Sequence, residues 1–509
     1  MKKNNYIYVG VLSAAFLLGS CSDDFLKVED PTGEPLEEYY TTDEHLQEAV
    51  TAAYDPLHWP DWDGTAYNAL NIDAEIMGDD FFPGGSNISD NQHWHKLFNF
   101  EGDGNNTLAT LWGDFYSGIK RCNDAIEYCS WDANKSNENI ASYIEQARLL
   151  RVYYYNILWH YYGNVPFYLN NLSNPYTAPQ MKADDIYQQL ITELEDIITN
   201  NVLPMRWDNT NAGHVSQAFA YMLYAELVMY QNDKPRYPQA LSYMKEIISS
   251  GQYDLLDNFA DIWKESGEWA EESIFEVNYQ DDQAGRDWGT SKSAGGTVLP
   301  TLISPNGWQG GDGWDAGLDG WGFLPMRVET YDMFDEADTR REATCWDLRS
   351  LQGTAKDYTA RYQDTHIWLA KYRPFSDNCK DCPTSKNLNY NNNLRIYRYS
   401  ETLLNAAELT IATGGSNAEA SGYLNKVRQR AGLQAIGSIS EDDILNERHL
   451  EFVGEGKRYF DLVRTGKAAT TLVAIPGTDR TNSWTPNKKH IPLAQSELDA
   501  DPSLVQNDY

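Results

Sequence analysis

Apolar residues recur at helical spacing through both ends of this 509-residue chain, and the recurrence breaks off between Ser273 and Met326. Leu46, Ala49, Val50 and Ala53 share one helical face, as do Ile144, Ala147, Leu150 and Arg151 in a segment from Glu138 that stops at Gly163-Asn164. Further helical stretches run from Ala183 to Asn200, Val215 to Tyr230 and Tyr237 to Ser250, then from Glu401 to Thr413, Asn417 to Ala431 and Glu441 to Arg464. They arrive as neighbouring pairs, with Ala218, Ala225 and Ala240 where helices must approach closely. The pattern predicts a mainly α fold, an α-α superhelix of tetratricopeptide-like helix pairs. In the middle, a strand-like Ile274-Phe275-Glu276-Val277 is followed by glycines from Gly285 to Gly322. A long irregular stretch of this kind inside a compact domain usually carries function. The expected organisation is an N-terminal signal over 1–20 and one domain over 21–509, with a helical core at about 36–270 and 328–509 and a loop-rich, ligand-binding insertion at about 271–327.

Lys2 and Lys3 precede an apolar run from Ile7 to Leu18 that ends in Gly19-Ser20-Cys21. A basic start, a short apolar stretch and small residues before the cut describe an export signal. The run is shorter than the roughly 20 residues a membrane-spanning helix needs. Cysteine at the cut predicts acylation of Cys21, so that the mature chain is tethered by lipid. A formal charge of −35 argues against nucleic acid and anionic membrane surfaces as partners, and leaves neutral ligands unaffected. Sixteen Trp and 34 Tyr exceed what a helical core needs, and such rings offer flat apolar faces with a polar edge. Cys122 and Cys129, seven residues apart on one predicted helix, stand ~10 Å from each other, beyond the ~7 Å reach of a disulfide. Cys379 and Cys382 share a Pro/Asn/Asp-rich loop, where a local disulfide is expected in an exported chain.

Four C-terminal blocks carry a family resemblance: Arg398-Tyr399-Ser400-Glu401 through Glu408; Leu424-Asn425-Lys426-Val427-Arg428-Gln429-Arg430-Ala431-Gly432; Glu447-Arg448 and Glu451-Phe452 with Glu455-Gly456-Lys457-Arg458-Tyr459-Phe460-Asp461-Leu462; and Ile491-Pro492 with the closing Gln506-Asn507-Asp508-Tyr509. Trp112, Tyr116, Arg148, Arg151 and Tyr162-Gly163-Asn164-Val165-Pro166 extend it toward the N-terminus. On these residues the chain resembles the SusD-like (SusD/RagB) glycan-binding lipoproteins, and Ser22-Asp23-Asp24 is similar to the surface-export signal of Bacteroidetes lipoproteins. The resemblance implies a non-enzymatic protein without cofactor, lipid-anchored on the outer face of the outer membrane. It also implies capture of oligo- or polysaccharide and delivery to a SusC-like TonB-dependent transporter.

Sugar rings stack their C–H faces on indoles, while their hydroxyls need amide, carboxylate or guanidinium partners. Trp288, Trp308, Trp314 and Trp321 in the glycine-rich insertion are therefore the leading carbohydrate-binding candidates, since loop tryptophans facing water are costly unless they pack or bind something. The family's early loop implies contacts from Trp94, Phe81 and Asp80, and Trp59 with Trp62 form a further aromatic cluster. His93 and His95 lack a placed third ligand, so no metal is expected there. Acidic pairs such as Asp79/Asp80 and Asp312/Asp315 open a rival reading as a polysaccharide hydrolase, which requires carboxyls ~5 Å or ~6.5–9.5 Å apart. A second rival is a protein-interaction scaffold in which the tryptophan loops are packing. Arg398, Glu401, Arg428, Arg430, Glu447, Arg448, Glu451, Arg458 and Asp461 sit at helical spacings that favour ion pairs between helices, a structural role. Several separated tryptophans favour an extended β-linked glycan over helical starch.

Overall fold

The computed structural model describes residues 33–281, 285–293, 295–308, 320–382 and 384–509. Twelve helices position everything that follows. The first eight are α1 (Asp43–Tyr54), α2 (Leu70–Met77), α3 (Gln92–Phe98), α4 (Ala109–Cys129), α5 (Ile140–Tyr162), α6 (Ala183–Asn200), α7 (Gln217–Gln231) and α8 (Tyr237–Ser250). After a long excursion come α9 (Tyr399–Ala412), α10 (Asn417–Arg430), α11 (Glu441–Phe452) and α12 (Arg458–Arg464). The predicted helices appear within a few residues of their expected limits. Local chemistry sets those limits: the Thr42 hydroxyl accepts from the His45 amide at 3.3 Å to start α1, and Gly163 ends α5 at φ 69°.

The long helices form an unbroken stack in which α1 packs on α4, α4 on α5, α5 on α6, α6 on α7 and α7 on α8. The stack then continues from α8 directly onto α9 and from α9 onto α10, although α8 and α9 are far apart in sequence. This is the predicted helical superhelix. Ala218, Ala225 and Ala240 are fully buried where α7 and α8 approach each other. Strand Ser273–Val277 leaves the stack and strand Leu394–Arg398 returns antiparallel beside it, leading straight into α9.

Between those strands the irregular region is wider than the expected 271–327. Helical order does not resume at 328: among the described residues before Leu394 lie the short Val328–Asp332 and Arg340–Thr344 helices, three 3-10 turns and a two-strand ribbon, Cys345–Asp347 with Ile367–Leu369. A second departure splits the expected helix over 441–464. Gly454 and Gly456 adopt φ 82° and 77°, and a Cβ on Gly456 would sit 2.8 Å from the Asn71 Cα. Their amides both donate to one Glu75 carboxylate oxygen, at 3.1 and 2.8 Å, which holds the turn against α2.

The charged residues assigned to the scaffold form a buried lattice. Arg398 reaches Glu272 at 2.6 Å, Glu451 at 2.9 Å and Glu455 at 2.8 Å. Arg430 binds Glu272 and Glu451, Arg340 binds Glu447 and Glu451, and Lys371 binds Glu455. Although burial alone would raise the Glu451 carboxyl, the surrounding Arg430, Arg398 and Arg340 hold it far below the usual range. Arg448 joins Asp461 at 2.8 Å, which ties α11 to α12.

Candidate functional site

Four aromatic rings from three loops meet on the irregular face. Trp62 and Tyr67 lie in the loop before α2, and their rings stack at 4.7 Å and 26°. Trp288 and Trp321 come from the excursion and stack at 5.8 Å and 29°. The two pairs touch edgewise, Trp62 against Trp288 at 5.5 Å and 71°, and Tyr67 against Trp321 at 5.3 Å and 59°. Such offset and edge-on contacts are the favoured geometries for rings of this type. Trp288 is nonetheless 54 % exposed, whereas Trp62 is 8 % exposed and supports it from behind. Around the rings, the Arg361 guanidinium donates to the Trp321 carbonyl at 2.8 Å, and Asp90 adds to the burial that pushes the Tyr67 hydroxyl up to about 12.

Backbone fit places these loops. The Gly85 amide donates to the Gly322 carbonyl at 2.7 Å, and a Cβ on Gly84 would lie 2.5 Å from that same oxygen. On the other side, the Trp321 amide donates to the Thr301 carbonyl at 2.8 Å. A Cβ on Gly320 would strike the Ser304 carbonyl at 2.1 Å, so this crossing admits only glycine. The early loop and the insertion thus do come together, through main chain.

The expected side-chain contacts of the early loop are corrected by this arrangement. Trp94 is fully buried on the inner face of α3, its indole N–H donating to Asp73 Oδ1 at 2.9 Å and its ring edge-on to Phe323. Phe81 is fully buried and bridges to Met326. Asp80 is also buried, accepting from the Thr330 hydroxyl at 2.9 Å and lying 2.8 Å from His449 Nε2. These three side chains are enclosed and out of a ligand's reach. Trp308 moves inward as well: at 4 % exposure it packs edge-on to Trp346 at 5.5 Å in a small core with Tyr358 and Trp368.

Trp314, Asp312, Asp315 and Cys21 lie outside the described residues. The expected Cys379–Cys382 bridge is not formed: Cys379 ends a 3-10 turn with its side chain inside, and the Cys382 thiol donates instead to the Thr384 carbonyl at 2.7 Å. Asp79, drawn as half of a hydrolytic pair, is engaged by Arg458 at 2.9 and 3.0 Å. Burial would raise its carboxyl, but Arg458 together with His449 and Arg480 outweighs burial and holds it down to about 2. Asp79, Asp80 and His449 offer oxygen and nitrogen atoms within 4.8 Å of one another, but Arg458 and Thr330 already use the oxygens. Tyr67 went unnoticed in the sequence. The signal for it was the aromatic spacing Trp59-Pro60-Asp61-Trp62-Asp63-Gly64-Thr65-Ala66-Tyr67 around a turn glycine.

A helical stack bearing an aromatic platform on one irregular face is the architecture of a SusD-type protein, and this chain belongs to the SusD family. The family profile matches residues 271–509, and a second profile, described as starch-binding associating with outer membrane, matches residues 24–228. Among solved structures, surface glycan-binding protein A from Bacteroides uniformis is 57 % identical, with a TM-score of 0.85, 92 % of this chain and 99 % of that one covered. Surface glycan-binding protein A from Bacteroides thetaiotaomicron in complex with laminarihexaose is 53 % identical, with a TM-score of 0.86 and coverage of 92 % and 100 %. A laminarin-binding SusD-like protein is 28 % identical, with a TM-score of 0.81 and coverage of 92 % and 99 %.

Proposed function

We propose that this protein captures a laminarin-type β-glucan on the Trp62–Tyr67–Trp288–Trp321 platform. The exposed Trp288 face carries the reading: an indole left half in water beside three supporting rings is stable only at a cost that a ligand removes. Laminarihexaose bound to a 53 % identical relative supports the same class of ligand. Trp314 belongs to the same insertion and is a further contact.

Capture involves no chemistry, and the protein is a binding protein rather than a hydrolase. Acylated Cys21 tethers it to the outer face of the outer membrane, the mature domain follows the 1–20 signal, and the bound oligosaccharide passes to a SusC-like TonB-dependent transporter. The test is calorimetric titration of a soluble form beginning at Ser22 with laminarihexaose, alongside Trp288→Ala. Binding without release of new reducing ends, weakened in the variant, supports the reading. A folded wild type that ignores laminarihexaose, or that releases reducing ends from it, overturns it.

A further inference from the structure

Only part of Trp288 is held by ring contacts, so something must fix the loop that carries it. Arg286 stands two residues before it, with its guanidinium fully buried. That one group donates to Asp61 Oδ1 at 2.6 Å, to the Trp62 carbonyl at 2.5 Å, to the Ser291 carbonyl at 2.6 Å and to the Gly296 carbonyl at 3.0 Å. The guanidinium thus springs from before Trp288 and reaches partners after it and on the Trp62 loop. The second Asp61 oxygen accepts from the Val298 amide at 2.9 Å, which closes the loop's far end. Asn389 completes the base, accepting from the Arg286 amide at 2.9 Å and donating to its carbonyl at 2.7 Å.

We infer that the buried Asp61–Arg286 pair is the positioning element of the platform, setting the separation and tilt of Trp62 behind Trp288 and hence the angle at which the exposed Trp288 face meets a glycan. The planar fork of arginine is what the site needs. Its donors point in fixed directions at four acceptors from two loops, whereas a lysine ammonium has three donors and no such plane. Neither residue touches ligand. Arg286 is wholly enclosed and Asp61 is 3 % exposed, so the pair acts through the rings.

The inference rests on the glycan reading above, and two readouts separate their failures. The first is the laminarihexaose affinity of the soluble form, with Arg286→Lys and Asp61→Asn each made in the wild-type and in the Trp288→Ala background. A ring-positioning role predicts that affinity falls about tenfold in the wild-type background, the worth of roughly one aromatic contact, and by no more than about twofold where Trp288 is already absent. The second readout needs no ligand. It is the Trp288-dependent part of the near-ultraviolet circular dichroism, taken as the difference between each protein and its Trp288→Ala counterpart. Coupling of Trp288 to Trp62 and Trp321 makes this difference large in the wild type and reduced in Arg286→Lys and Asp61→Asn. If the difference spectrum is the same with and without the pair, the inference fails, whatever the protein binds. It fails too if affinity drops equally in both backgrounds and in step with the melting temperature, since that is a purely structural role. If the wild type does not bind laminarihexaose but the dichroism behaves as described, the positioning role stands and the ligand assignment falls.

Discussion

Around Arg398 three carboxylates and neighbouring cations are packed almost without water, whereas around Trp288 four rings are packed with one of them left mostly in water. The first region joins helices and short strands that are distant in sequence, and each of its carboxylates is paired with at least one buried cation. The second joins loops whose side chains have room for one more. Charge buried with full pairing specifies a scaffold, because any loss leaves an unpaired ion in a low-dielectric interior. Apolar rings left at a surface specify a contact, because the missing partner comes from outside. The same contrast divides two tryptophans of one glycine-rich stretch: Trp308 has its partners inside, and Trp288 is 54 % exposed.

The sharpest way to break this contrast is to remove charge from the lattice. Arg398→Ala leaves Glu272, Glu451 and Glu455 under-compensated, and a loss of about 3–5 kcal/mol in denaturant unfolding is expected. Glucan affinity of the remaining folded fraction should not move. Trp308→Ala opens a cavity beside Trp346 and costs about 3 kcal/mol of stability, again with affinity unchanged. An affinity loss in Trp308→Ala would show that the small core reaches the ligand. Trp288→Ala inverts the pattern, with binding weakened by about 2 kcal/mol in calorimetry and the melting temperature nearly unchanged. A large drop in melting temperature would instead make Trp288 a packing residue.

A smaller effect concerns Asp114, buried on α4, whose carboxylate lies 2.6 Å from Lys292 in the Trp288 loop. Burial raises its pKa from 3.8 to about 6 against the opposing pull of Lys292. The folded chain thus holds an extra proton between those values, so this residue's contribution to stability grows as pH falls from about 6 toward 3.8 and is lost as pH rises through 6. Unfolding curves of wild type and Asp114→Asn should run parallel above pH 7 and diverge in that window, with the wild type gaining. The smallest expected effect is that of salt. A neutral glucan held by stacking should bind almost equally at low and physiological ionic strength, and a strong salt dependence would point to a charged ligand.

Much of the scaffold was legible because helical period and punctuation are local. Gly163 and Gly251 ended α5 and α8 where expected, and the ion-pairing residues stood at telling intervals. The split between α11 and α12 was not legible, since what demands Gly456 is the backbone of Asn71, remote in sequence. For the site, Trp288 and Trp321 were visible as tryptophans among glycines. Trp94 misled because it follows a polar, histidine-flanked loop, yet α3 turns it inward onto Asp73. Arg286 and Asp61 gave no signal at all, because a charge at the hinge of a loop looks like any surface charge until its partners are known.

The contact between α8 and α9 closes the helical stack around an absence, since the chain can leave after Ser250 and return at Tyr399 without the stack noticing. Everything between is then a cartridge on a two-strand stem, keyed into the helices by Arg340 and Lys371. Lengthening a flexible segment costs only about 0.6 kcal/mol per doubling. Such a stem lets the loops beyond those two keys grow, shrink or change their aromatic residues while the helices beneath keep their register, and a cartridge taken from a relative should be transplantable at the Ser273–Val277 and Leu394–Arg398 pair if it keeps both cations.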